Sequence, residues 1–322
     1  MITVREATPA ATRPGAPGRV RTVICWVTIA SCLPYLVLKV FWLFGNSVGA
    51  ADAQGAAELL DVRHLVGDVV TAGMELFAIA LVLALTYPWG RLLPAWLVAG
   101  PIWLASGLLA PIALGLPLGL AAQAFVGGSA VPADNGLLGW VYVLVYGGFA
   151  VQAVGLLAAF LGHARERWPE VFRMRMTHLS GTASRHRLRT MIAATIAAGY
   201  AAIMVAWSVT APDWGGPAGF ETVAQKTALL ATGLLVLAGA ISVPALLRRR
   251  GDRRVVGPFT LAWLGTSVAV TAGPTHIALS NNGSISLILV TVSLCATLSG
   301  LLLAHTMIRA LPAAPRETER RT

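Results

Sequence analysis

Charge is scarce in this chain. Of its 322 residues only 12% are Asp, Glu, Lys or Arg, while 56% are hydrophobic and the mean hydropathy is +0.72. A soluble domain carries about 25% charged residues, so the sequence holds roughly half of what a water-facing surface requires. That excludes an ordinary cytosolic enzyme, a disordered chain and a secreted disulfide scaffold. Cysteine is scarce as well. Cys25, Cys32 and Cys295 are odd in number and each lies in an apolar run, so they read as small core residues rather than as a disulfide framework or a zinc site. Catalytic signatures are missing: there is no GxxxxGK[ST] phosphate loop, no HExxH helix and no Cys/His cluster, and Gly45-Asn46-Ser47-Val48-Gly49 matches GxSxG only at the end of an apolar helical stretch, not in the strand-to-helix turn of a nucleophile elbow. The sequence therefore calls for no catalytic residue, no metal and no cofactor.

What the chain has is long apolar stretches. A bilayer-crossing helix needs about 20 predominantly apolar residues, because hydrocarbon offers its backbone no hydrogen-bond partner. Eight stretches reach that length: 22–44, 65–86, 92–113, 137–162, 189–211, 224–247, 257–279 and 284–308. An all-α, polytopic bundle of eight transmembrane helices follows. The first stretch reads as a span rather than a cleaved signal, because it exceeds the usual signal core of about 7–15 residues and carries Lys39 and Trp42. Segment 114–136 mixes Gly, Pro and Ala with Leu, and reads as an outer interfacial helix or a re-entrant turn.

The net charge of +10 would suggest nucleic-acid binding in a soluble protein. Its placement points elsewhere. With the N-terminus inside, 21 of the 24 basic residues fall in segments that alternate to one side. They are Arg5, Arg13, Arg19 and Arg21; Arg91; seven Arg from Arg165 to Arg189; five within 248–254; and four from Arg309 onward. The other side keeps Arg63 and Lys226 against Asp52, Glu58, Asp61, Asp134, Asp213 and Glu221. This is the positive-inside pattern, and it puts both termini in the cytoplasm of a bacterial inner-membrane protein. The expected partners are then the bilayer and its anionic headgroups at the cytoplasmic face, with no role for nucleic acid. No protein partner is indicated.

The organisation reads as a basic N-terminal segment 1–21, a four-span half 22–162, a basic linker 163–188, a second half 189–308 and a basic tail 309–322. In the linker, Trp168, Val171, Phe172 and Leu179 among Arg residues suggest a short amphipathic helix on the inner leaflet. The two halves begin alike, with Arg19-Val20-Arg21-Thr22 and Arg187-Leu188-Arg189-Thr190. Tyr35 precedes Trp42 by seven residues, as Tyr200 precedes Trp207, which puts each pair on one helical face. Prolines 94 and 111 flank the third span as Pro258 and Pro274 flank the seventh. Parallel four-helix repeats would produce this, and so would Arg and aromatic residues that mark span ends independently.

Ionisable residues inside spans each cost at least about 2.5–3.5 kcal/mol, so each needs a partner or a wet cavity. The first two spans hold Lys39, Asp68 and Glu75. The expected depths put Lys39 between the two carboxylates, paired with one and leaving the other to titrate. Asp61, His64, Asp68 and Glu75 also fall on one stripe of the second span, with Thr71 on its flank, as a proton or cation route would require. Read more plainly, Asp61 and His64 are solvated, Lys39 snorkels, and any ion pair only locks two helices together. His276, His305, Gln152, Trp96 and Trp103 read first as structural.

Pro34, Tyr35, Lys39, Trp42 and Gly45 form a Pro-Tyr-x3-Lys-x2-Trp-x2-Gly motif. It resembles a first-span motif of uncharacterised multi-span integral membrane proteins of actinobacteria, and 22 Arg against two Lys fits a GC-rich genome. The resemblance covers about 12 residues and implies a multi-pass bacterial membrane protein without an activity. Three function classes remain. One is a secondary transporter or permease that uses Lys39, Asp68 and Glu75; a second is a non-catalytic subunit or regulator with a structural ion pair. The third is an embedded enzyme on a lipid-like substrate, built around Asp61, His64 and Asp68.

Overall fold

Each of the eight apolar stretches forms a helix. A computed structural model describes residues 17–127, 136–179, 187–210, 214–220, 222–248, 253–280 and 285–311. Arg5, Arg13, Asp134, Arg185, Asp213, Glu221, residues 249–252 and most of the segments 1–21 and 309–322 lie outside the described residues. The first half contains α1 (Arg19–Leu43), a short α2 (Ala53–Leu59), α3 (Val62–Thr86), α4 (Ala95–Val126) and α5 (Gly139–Arg167). A five-residue α6 (Pro169–Arg173) lies in the linker, followed by α7 (Arg187–Val209), α8 (Val223–Arg248), α9 (Val256–Leu279) and α10 (Leu287–Ala310). All but α2 and α6 are long and apolar enough to cross a bilayer, which makes this a multi-pass membrane protein in contact with lipid.

One expectation changes and another is met in part. Residues 114–126 form neither an interfacial helix nor a re-entrant turn; they continue α4, which runs for 32 residues with Pro101, Pro111 and Pro117 inside it. Its C-terminal section holds because small residues let it lie against α8. A Cβ on Gly115 or Gly119 would stand 2.7 or 2.6 Å from the Cα of Ala228 or Ala224. In the linker a short helix does form, α6, which holds Val171 and Phe172, while Leu179 lies beyond it. After α6 the chain pairs with the α8–α9 turn, where Met176 N–H donates to Arg253 C=O and Val255 N–H to Met174 C=O, each at 3.0 Å. That pairing buries Met176 and Leu179 in the second-half core instead of laying them on a leaflet.

The same helix pairings recur in the two halves. Helix α1 packs on α3 and α5, α3 on α5, and α4 on α3 and α5; α7 packs on α8 and α10, α8 on α10, and α9 on α8 and α10. The main bridge between halves is α4, which lies against α8 and α9. Trp103 belongs to that bridge, since its indole N–H donates to Thr266 Oγ1 at 3.3 Å and its carbonyl accepts from Ser267. Trp96 is exposed on the outside of the bundle.

Candidate functional site

The first-span motif builds one end of the site. Tyr35, Lys39 and Trp42 follow at helical spacing, so all three turn inward from α1. The Lys39 ammonium lies 4.5 Å from the Tyr35 ring centroid and 4.7 Å from that of Trp42, a two-sided cation–π contact. The indole N–H of Trp42 donates to Val48 C=O at 2.8 Å, which fixes the ring from beyond the helix end. Gly45 makes that end possible. Its φ of +82° is a left-handed conformation, and its N–H donates to Trp42 C=O at 3.0 Å. Pro34 sits within α1 and withholds one backbone donor there.

Lys39 Nζ donates to Asp68 Oδ1 at 2.6 Å, and only 6% of Lys39 and 4% of Asp68 is exposed. The expected depths are corrected by one turn. Helix α3 begins at Val62, with Asp61 as its N-cap, so Asp68 lies six residues inside and level with Lys39. Asp68 Oδ2 has no hydrogen-bond partner among the described residues. Glu75, two turns deeper and 3% exposed, has a different partner. Gln152 Nε2 on α5 donates to its two carboxyl oxygens at 3.2 and 3.0 Å, and the Cys32 thiol lies against it from α1.

The stripe of four polar residues on α3 is divided by this packing. Asp68 and Glu75 face α1 and α5, whereas Asp61 and His64 are exposed near the helix start. Asp61 uses its carboxylate to cap α3, accepting from Arg63 N–H at 3.3 Å. The stripe thus has a buried part, Asp68 and Glu75, and an exposed part, Asp61 and His64. Elsewhere, His276 is buried against the Phe220 ring, with centroids 5.6 Å apart, and His305 is exposed on α10. Among the described residues, no group of three or more His, Cys, Asp or Glu could hold a metal ion.

One buried group escaped the sequence reading. His163, 1% exposed near the end of α5, has no hydrogen-bond partner on either ring nitrogen among the described residues. The signal was present: His163 follows Gln152 by eleven residues, three helical turns, and so shares its face. Beside it, Arg21 Nη1 donates to both Glu166 oxygens at 2.8 Å, Arg21 Nη2 donates to Leu85 C=O at 2.7 Å, and Arg91 also reaches Glu166. Comparison with known protein families, curated proteins and solved structures gives no match to this chain.

Proposed function

We propose that the chain is a permease or secondary transporter of a bacterial inner membrane, with both termini cytoplasmic and Glu75 as the group that takes up and releases a coupling proton or cation. One observation carries this reading. Glu75 is a buried carboxyl whose hydrogen bonds come from a neutral amide, while the neighbouring ammonium of Lys39 is held by Asp68. A carboxylate in hydrocarbon must be neutralised by a proton or a cation, and exchange of that partner is the elementary act of coupled transport. The recurring helix pairings and the proline-interrupted α4 and α9 support a repeat-built transporter. The basic residues at one end of the bundle support the orientation and a contact with anionic headgroups. The Pro-Tyr-x3-Lys-x2-Trp-x2-Gly motif supports the actinobacterial affiliation.

The test is proton flux into liposomes loaded with a pH dye under an imposed potential. Glu75→Gln inserts and folds normally and loses the flux; flux at the wild-type level removes Glu75 from coupling. A second reading, a non-catalytic subunit or regulator, is favoured by the aromatic enclosure of Lys39, which suits a lock between α1 and α3. Under that reading wild type and variant are equally tight to protons. The exposure of Asp61 and His64, beside a buried Asp68, gives the enzyme reading no support.

A further inference from the structure

The contacts between α1 and α3 step down the bundle in strict register. Lys39 meets Asp68, Cys32 meets Glu75, and Cys25 Sγ approaches Val82 C=O at 4.0 Å. Each contact lies seven residues further along both helices than the last, or about 10 Å at 1.5 Å per residue. The register continues to the basic end, where Arg21 reaches Leu85 C=O. Helix α5 runs parallel to α3 and keeps its own register with it. Gln152 is level with Glu75, and eleven residues further on His163 is level with Thr86 and approaches the Leu85 backbone.

The seam is an apolar cluster of Ile29, Leu81, Val82 and Leu156 with polar side chains set into it. Between Glu75 and the basic end lie Cys32, Thr28, Cys25, Thr86 and His163, every one buried. Thr28 is pressed so closely to α5 that a Cβ on Gly155 would fall 1.9 Å from its hydroxyl. Thr86 Oγ1 and both nitrogens of His163 have no hydrogen-bond partner among the described residues, and Cys25 lies beside Thr86. Buried polar atoms of this kind are satisfied by internal water, which turns separate side chains into a hydrogen-bonded file.

We infer that the α1–α3–α5 seam is a proton path joining Glu75 to the basic end of the bundle, with His163 as its relay. The inference rests on the reading of Glu75 as a proton-exchanging group. A proton that reaches one nitrogen of the neutral imidazole is matched by release from the other, so the ring is neutral before and after the transfer. Bridging water carries the proton between His163 and Glu75 past the Thr86 and Thr28 hydroxyls. The charged groups facing His163 are Arg21 from α1, Arg91 from the turn after α3, and Arg167 and Glu166 from α5. Glu166, held by two of these arginines and partly exposed, is the group through which the path meets solvent.

Hydrogen–deuterium exchange followed by infrared spectroscopy on the full chain in lipid nanodiscs tests this without a transported substrate. The protonated-carboxyl band of Glu75 is identified by its loss in Glu75→Gln, and its isotope shift is timed after transfer into D2O. His163→Phe and, independently, the near-isosteric Thr86→Val each slow that shift at least tenfold, while His276→Phe in the second half leaves it unchanged. Wild-type exchange rates in both His163→Phe and Thr86→Val overturn the path and leave the role of Glu75 standing. Absence of any band that Glu75→Gln removes overturns the reading of Glu75, and the path with it.

Discussion

The two halves of the bundle use one packing period for opposite contents. In the first half, seven-residue steps along α1 give Lys39, Cys32 and Cys25, facing Asp68, Glu75 and Val82 on α3. In the second, the same steps along α7 give Met204, Ala197 and Thr190, and those along α8 give Leu229, Val236 and Val243, all buried. Gly233, between Leu229 and Val236, is in contact with α7; a Cβ there would lie 2.9 Å from Ala201 C=O and 3.2 Å from Met204 Cβ. A close antiparallel helix pair therefore needs no charge at these levels. The ion pair and the amide-held carboxyl of the first half go beyond what packing demands, which makes that half the place to look for activity.

The sharpest way to break this contrast is to give the first half the second half's residues. Lys39→Met alone strands the Asp68 carboxylate in a buried site and lowers unfolding free energy by about 3–5 kcal/mol. Lys39→Met with Asp68→Leu gives the first half the residue types of the buried Met204 and Leu229, and recovers wild-type stability or exceeds it by about 1–4 kcal/mol. Denaturant titration in mixed micelles measures wild type, Lys39→Met, Asp68→Leu and the double variant. Additive losses in the double variant would show that Lys39 and Asp68 act independently, and the comparison of the halves would lose its centre.

The reverse transplant has the next largest effect. Met204→Lys puts an ammonium into the apolar core of the second half and costs about 2.5–3.5 kcal/mol, near the insertion penalty for a central lysine. Leu229→Asp in the same molecule restores a large part of that loss if the two halves share one register. Without such rescue, the seven-residue spacing in the second half would be a coincidence of buried positions rather than an equivalent helix pairing.

How much of this was legible in the sequence depends on the kind of signal. Spans are a matter of composition over about 20 residues, so all eight appeared with ends within a few residues, apart from α4. Its Gly115 and Gly119 look like helix breakers along the chain and become contact surface only when Ala224 and Ala228 lie opposite. Lys39, Asp68 and Glu75 stood out because charge is rare in spans, but which carboxylate takes the ammonium depended on where α3 starts. The Asp61 cap moves that start to Val62 and brings Asp68 level with Lys39. Gln152 and His163 were harder to read because the pairing of α5 with α3 is a tertiary fact. Asp61 and His64 share a stripe with Asp68 in projection, yet at the start of α3 they are exposed.

The smallest expected effect belongs to the charged clasp at the basic end, which differs between the halves as visibly as the interior does. The first half ties α1, α5 and the turn after α3 together through Arg21, Glu166 and Arg91; the second uses the Thr190–Thr306 hydroxyl contact and the backbone pairing of Met174 and Met176 with residues 253–255. The Arg91 and Glu166 side chains are 45% and 42% exposed, so water screens their attraction and added salt weakens it further. Glu166 also keeps both bonds from Arg21 when Arg91 is removed. Arg91→Ala therefore costs under about 1 kcal/mol, and the cost fades as salt is raised. A salt-insensitive loss as large as that of Lys39→Met would locate the lock of the first half at its surface. A small, screened loss leaves the difference between the halves where the geometry puts it, in the buried seam from Lys39 to His163.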